Sequence, residues 1–146
     1  MKLLVINGPN LNFLGIREPE IYGSESYEAL LEKIRSYAKE RGCSADCFQS
    51  NHEGAIIDRL QEAYRDGTEG IIINPGAFTH YSYAIHDALK SLPGIPKAEV
   101  HLSDITAREE FRATSVTAPA CDYFLYGKGT DGYTEAMDLL LAHRDK

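Results

Sequence analysis

The feature that most constrains this chain is an alternation. Five short apolar runs read as strands over Lys2–Asn7, Ser44–Gln49, Gly70–Asn74, Lys97–Leu102 and Asp122–Tyr126. Between them, apolar residues recur at helical spacing: Tyr27, Leu30, Leu31, Ile34, Tyr37 and Ala38 before Gly42, then Ile56, Ile57, Leu60, Ala63 and Tyr64 before Gly67. A third helix is expected from roughly Tyr83 to Leu92. A last one starts at about Tyr133, with Ala136, Met137, Leu140 and Leu141 on one face. Strands that alternate with helices imply a five-stranded parallel sheet covered on both faces and joined by right-handed crossovers. With 146 residues and no repeat, linker or low-complexity stretch, the α/β chain reads as a single three-layer domain over residues 1–146.

The balance of charge narrows the partners. A net charge of -7 argues against nucleic acid, which needs a basic footprint, and requires an anionic substrate to be held by local cations. No apolar run is long enough to span a membrane. Met1–Ile6 is apolar but runs straight into Asn7-Gly8-Pro9-Asn10 without a cleavage site, so it reads as a strand rather than a signal peptide. Cys43, Cys47 and Cys121 are too few and too irregularly spaced for a disulfide framework or a zinc site. Buried, reduced thiols in a cytoplasmic protein are the expectation.

In open parallel sheets ligands bind beyond the carboxyl ends of the strands. The unusual residues of this sequence fall there: Asn7-Gly8-Pro9-Asn10-Leu11-Asn12, Ser50-Asn51-His52-Glu53-Gly54, Asn74-Pro75-Gly76-Ala77-Phe78-Thr79-His80 and Glu99-Val100-His101-Leu102-Ser103. The amino ends carry nothing comparable. The stretch from Gly8 to Gly23 exceeds an ordinary β–α connection and reads as a lid, with a passive surface excursion as the alternative.

Several side chains there could do acid–base chemistry. Tyr22 shares the long loop with Arg17. A tyrosine with a pKa near ~10 becomes a base at neutral pH only if about 4 kcal/mol favours the phenolate, and a guanidinium that never loses its charge can supply that. The pair could equally be a surface contact. Glu99 and His101 lie two apart on a strand and so share a face; the carboxylate orients the imidazole and favours its protonated form, which suits a general acid. The alternative is a satisfied core histidine. Asn74 and His80 are ligand-binding candidates, and Asp87 lies in the helix that follows, on a solvated face or at a subunit contact. Arg108 and Arg112 would share one face if their segment is helical, and offer a grip for a carboxylate.

Other chemistries lack their parts. No G-x-G-x-x-G dinucleotide loop follows a strand, no phosphate-cradling loop carries a Lys, and no Ser sits in a nucleophile elbow. Lys2 and Lys97 start strands, at the wrong end for a Schiff base; Lys128 is the exception. A metal site from His52, His80, His101 and Glu99 is a competing reading, without ligand-type spacing. A non-catalytic binding or receiver module is another, though Asn7-Gly8 offers no acidic cluster after the first strand.

Taken together, Leu4-Val5-Ile6-Asn7-Gly8-Pro9-Asn10-Leu11-Asn12, Arg17-Glu18-Pro19-Glu20-Ile21-Tyr22-Gly23 and Gln49-Ser50-Asn51-His52-Glu53-Gly54 resemble the type II 3-dehydroquinate dehydratases. So do Ile72-Ile73-Asn74-Pro75-Gly76-Ala77, Thr79-His80, Glu99-Val100-His101-Leu102-Ser103, Ala107-Arg108-Glu109-Glu110-Phe111-Arg112 and Gly127-x-Gly129-x-x-Gly132-Tyr133. The resemblance implies a flavodoxin-like fold and a cofactor-free anti elimination of water from 3-dehydroquinate, giving 3-dehydroshikimate. The reaction serves the shikimate pathway of aromatic amino acid biosynthesis or quinate catabolism. By the same resemblance Tyr22 is the base, Arg17 lowers its pKa, Asn12 steadies the enolate through a water, and His101, assisted by Glu99, protonates the leaving hydroxyl. Asn74, His80, Arg112, Leu102 and Ser103 would hold the substrate. Asp87 would reach a neighbouring subunit's site in a homo-oligomer, a dodecamer built from trimers. The chain departs from the family pattern at Asp104, where Asn is usual, at Thr106, where His is common, at His86, where Arg is frequent, and at Ala113-Thr114-Ser115. Asp104 places an extra negative charge near the carboxylate grip.

Overall fold

A computed structural model describes residues 1–16, 18–22 and 25–144, with only the backbone described at Pro19 and Tyr22. Five parallel strands form one sheet in the order β2-β1-β3-β4-β5: β1 Lys2–Asn7, β2 Ser44–Gln49, β3 Gly70–Asn74, β4 Lys97–His101 and β5 Tyr123–Tyr126. This is the flavodoxin-like order, with its topological switch between β1 and β3. The helices are α1 Pro19–Tyr22, α2 Tyr27–Glu40, α3 Glu53–Ala63, α4 Tyr83–Lys90 and α5 Asp131–Arg144.

The layers follow from the two-residue period of the strands. Leu3, Val5, Ile72, Ala98 and Val100 point to one face, where Leu30, Ile34 and Ala38 of α2 meet Tyr133, Ala136, Met137 and Leu140 of α5. Leu4, Ile6, Ile71 and Ile73 point to the other, against Ile56 and Leu60 of α3 and Ile85 and Leu89 of α4. Lys97, Glu99 and His101 alternate with Ala98 and Val100 on β4, and so fall on this second face. Serine caps begin two of the helices: Ser26 accepts from Ala29 N at 3.1 Å, and Ser82 from Ile85 N at 3.0 Å. Lys33 of α2 reaches Asp131 of α5 at 2.7 Å and locks that layer laterally.

The expected boundaries shift by small amounts with identifiable causes. Asp122 is drawn off the start of β5 because its carboxylate caps Lys97 N at 2.9 Å. α5 starts two residues before Tyr133, at Asp131, whose charge suits a helix N-terminus. α4 ends at Lys90, ahead of Leu92. The three cysteines are free but only half-buried, a correction to the expected burial. Among the described residues no helix is long and apolar enough to cross a membrane.

Candidate active site

A cavity of about 110 Å³ opens at the carboxyl ends of β3 and β4. Asn74, His80, His101, Leu102, Ser103 and Arg112 line it, together with Arg108. Six of the residues expected to bind or react therefore come from three separate segments into one wall. A wider depression of about 790 Å³ lies at the opposite end of the sheet, between Met1, Pro93, Ile95 and Lys97. Its buried Lys97 ammonium is taken up by the carbonyls of Leu92 (2.7 Å) and Ile95 (2.8 Å), and His143 on its wall is paired with the Tyr123 hydroxyl at 2.8 Å. The chemistry concentrates in the smaller cavity.

His101 is nearly buried, and its Nε2 lies 2.7 Å from Oε2 of the fully buried Glu99. An ionised carboxylate only accepts, so Nε2 carries the proton of that bond and Nδ1 is the nitrogen left for a ligand. Phe124 packs edge-on against the ring at 5.9 Å. Burial alone would raise the Glu99 carboxyl, but the hydrogen bond and charge of His101, with the hydroxyls of Thr117 and Thr79, outweigh it and hold the group below its ordinary value.

His80 is fixed differently. Its Nδ1 lies 2.8 Å from the carbonyl of Thr114, so Nδ1 is protonated and Nε2 presents a lone pair when the ring is neutral. Partial burial, then repulsion from Arg112 and His101, push its pKa down and favour that neutral form. Two neighbouring histidines thus take opposite roles, one suited to donating a proton and one to accepting a hydroxyl. Asn74 is almost buried, its carbonyl oxygen accepting from Gly76 N at 3.1 Å and its amide donating to the Tyr133 hydroxyl at 3.1 Å. Tyr133 in turn donates to Asn7 at 2.6 Å, so the side chain at the cavity is braced through β1 and α5.

The backbone around the grip is equally fixed. Gly129 N and Gly127 N donate to the carbonyls of Leu102 (3.0 Å) and Ser103 (3.1 Å). The run Gly127-x-Gly129-x-x-Gly132 has dinucleotide-loop spacing and leads from β5 into α5, which corrects the expectation that none follows a strand. Its amides at 127 and 129 are already committed to the Leu102–Ser103 turn rather than open to a pyrophosphate. Across the cavity, Gly8 N donates to Asn74 O at 2.7 Å, and a Cβ on Gly8 would lie 2.4 Å from Pro75 O. Only glycine allows the β1 and β3 loops this approach.

Arg108 and Arg112 do not share a helical face. Two short 3-10 turns, Ile105–Ala107 and Glu110–Arg112, flank Arg108, whose extended backbone breaks the helix. Both arginines nevertheless line the cavity, and Arg112 is steadied by Glu109 at 2.6 Å and by the Phe111 ring. Asp104 accepts from the backbone and hydroxyl of Thr106 at 2.9 and 2.5 Å. The two departures from the family pattern thus form one cap, which occupies the added charge.

Other expected residues stand apart. Asn12 is exposed at a 3-10 turn, Leu11–Phe13, and Asp87 is exposed on α4; neither lines the cavity. Arg17 lies outside the described residues, as does the side chain of Tyr22, whose backbone belongs to α1. His52 is exposed before α3, and among the described residues no three His, Cys, Asp or Glu side chains gather as metal ligands. The hydroxyls of Thr79, Ser115 and Thr117 around Glu99 carry no periodic or spacing signal in the sequence, and only the structure brings them together.

The family model for dehydroquinase class II matches residues 1–141. The 3-dehydroquinate dehydratase of Lachnospira eligens is 59% identical over 141 residues, covering 97% of this chain and 96% of its own. The crystal structure of the type II dehydroquinase from Butyrivibrio crossotus superposes with a TM-score of 0.96 at 60% identity, covering 97% of both chains. That of the Propionibacterium acnes type II dehydroquinase gives 0.92 at 40% identity, covering 97% of this chain and 96% of its own. Matched over nearly its whole length in both sequence and fold, the chain belongs to the class II dehydroquinase family.

Proposed function

We propose that this protein is a 3-dehydroquinate dehydratase that works without a cofactor as one catalytic domain over residues 1–146. The observation that carries the reading is the buried Glu99–His101 pair set in the same small cavity as Arg112, Asn74 and His80. The elimination needs three things: a base for the proton α to the carbonyl, an acid for the departing hydroxyl, and a grip for one carboxylate. Arg112, with the backbone at Leu102 and Ser103, grips the carboxylate, while Asn74 and His80 hold the ring hydroxyls. Tyr22, as phenolate beside Arg17, removes the C2 proton, and Asn12 steadies the resulting enolate through a water. His101 then gives its proton to the C1 hydroxyl, which leaves as water as the ring double bond forms. One proton has moved from substrate to Tyr22 and one from His101 to water, so the enzyme resets by returning a proton from the phenol to the imidazole.

The exposure of Asp87 on α4 suits a residue offered to the neighbouring subunit of an oligomer, a dodecamer built from trimers. Free, half-buried thiols fit a reducing, cytoplasmic setting. The product feeds the shikimate pathway or belongs to quinate catabolism, since both use this step. Purified, chelator-treated protein mixed with 3-dehydroquinate is expected to raise the enone absorbance of 3-dehydroshikimate, and to keep doing so after borohydride. A folded protein that gives no such signal would overturn the reading.

A further inference from the structure

Glu99 is the one carboxylate among the described residues that is fully buried, and an ion there must be solvated by the protein itself. Its Oε2 receives His101 Nε2 at 2.7 Å, Thr79 Oγ1 at 2.7 Å and Ser115 Oγ at 2.8 Å. Its Oε1 receives the Thr117 hydroxyl. The three hydroxyls also touch one another, Thr79 lying 2.7 Å from both Ser115 and Thr117. Ser115 Oγ already accepts from Ala118 N at 2.9 Å, which turns its proton toward Glu99 and Thr79. The segment that carries Ser115 and Thr117 is itself pinned: Val116 N donates to Thr79 O at 2.7 Å, and His80 and His86 each hold one of its carbonyls at 2.8 Å.

We propose that Thr117, Ser115 and Thr79 are positioning residues for the proton donor: their hydroxyls form a cradle that keeps Glu99 an anion away from water, and so keeps a proton on His101. This rests on the dehydratase reading and on His101 as the acid. Each hydroxyl brings a single proton, and every lone pair of an ionised Glu99 can take one. A protonated Glu99 would lose one of these acceptances and would need a hydroxyl lone pair for its own proton. The two oxygens are not equivalent. Oε2 has three partners, whereas Thr117 is the only donor to Oε1 among the described residues, so the cradle is most sensitive at Thr117. The other titratable groups facing the pair are His80, Arg108 and Arg112 across the cavity, Cys121 ahead of β5, and His86 from α4 behind the segment of Ser115 and Thr117; β3 sets Ile73 beside Glu99, and β5 sets Phe124 beside Glu99 and Tyr126 beside His101.

The test compares Thr117→Val, which keeps the shape, with Thr117→Ser, which keeps the hydroxyl. Thr117→Val is expected to move the alkaline limb of the kcat profile to lower pH by about one unit, the scale of one charge-assisted hydrogen bond, with KM within about twofold. Thr117→Ser restores the limb, and Ser115→Ala and Thr79→Val shift it less. A uniform fall in kcat at every pH, with the limb unmoved, overturns the cradle. Infrared difference spectra of the protein labelled with 13C-glutamate, with Glu99→Gln as the reference, give a second readout independent of turnover. Glu99 is expected to be ionised near neutral pH in the unaltered protein, and its protonated-carboxyl band is expected to appear about one pH unit higher on acidification in Thr117→Val than in the unaltered protein. A wild-type protein without dehydratase activity would overturn the parent reading alone, and the infrared band would still decide the cradle. A protonated-carboxyl band that appears at the same pH in Thr117→Val and in the unaltered protein overturns it.

Discussion

The two halves of the site are built on different principles. The half proposed to supply the acid follows β3 and β4, and its side chains are braced from behind: Glu99 by three hydroxyls, Asn74 by Tyr133, His80 by Thr114. The half expected to supply the base hangs from the long β1–α2 connection. Leu11 and Leu14 anchor that connection in the core, while Phe13, Ile16 and Ile21 stay exposed, at 53%, 73% and 37%. The proposed acid is therefore held in place by the chain's own side chains, whereas the apolar side chains near Asn12 and Tyr22 stand exposed in the isolated chain. Preorganisation is concentrated on the side that must hold a buried charge, where leaving a group unsatisfied costs most.

The sharpest break of this contrast is Tyr22→Phe. Turnover should fall by about a thousandfold or more while circular dichroism and substrate binding stay near normal; near-normal kcat would remove Tyr22 from the role of base. His101→Ala should come next, with a loss of roughly a hundredfold or more in kcat. A mild loss there would hand the acid role to another group.

Tyr133→Phe tests whether bracing matters apart from chemistry. It strips the hydroxyl shared by Asn7 and Asn74 and should cost about 1–3 kcal/mol in denaturant unfolding, with a weaker hold on substrate as a rise in KM. An unchanged midpoint and KM would show the network to be idle. Stability should also respond to acid. Because Glu99 is held below its ordinary value in the folded chain, its contribution is complete above the usual carboxylate range and lost as pH falls through the folded value. Glu99→Gln should flatten that acid limb.

The smallest effect is expected from Asp104→Asn. Asn can still accept from Thr106, so the cap survives, and KM should change by less than about threefold; a large gain in affinity would mean that the Asp104 charge reaches the carboxylate grip.

The layers were legible because burial leaves a period in the sequence. Leu3 to Ile6 alternate between two cores, and the strand limits of β1, β2 and β3 follow from such runs. Glu99 and His101 were legible as a pair for the same reason, since two residues apart on a strand means one face. The hydroxyls around them were not. Thr79 lies 20 positions from Glu99, Ser115 16 and Thr117 18, and no local pattern encodes a meeting of three segments. Arg108 and Arg112 show the opposite failure. Their four-residue spacing would put them on one face only if the stretch were helical; the extended backbone at Arg108 splits it into two turns, and the cavity gathers both by tertiary placement instead.

The close pass of the β1 and β3 loops has a bearing on how this family would answer to random mutagenesis. With Pro75 O only 2.4 Å from where a methyl would sit, every substitution at Gly8 forces apart the two loops that frame Asn74. A library scored for growth would rank Gly8 beside His101 among its least tolerant positions, although Gly8 has no side chain to react. Intolerance at that position reports spacing rather than chemistry. A thermal-shift screen of the same library would tell the two apart, because the Gly8 variants should lose melting temperature along with activity.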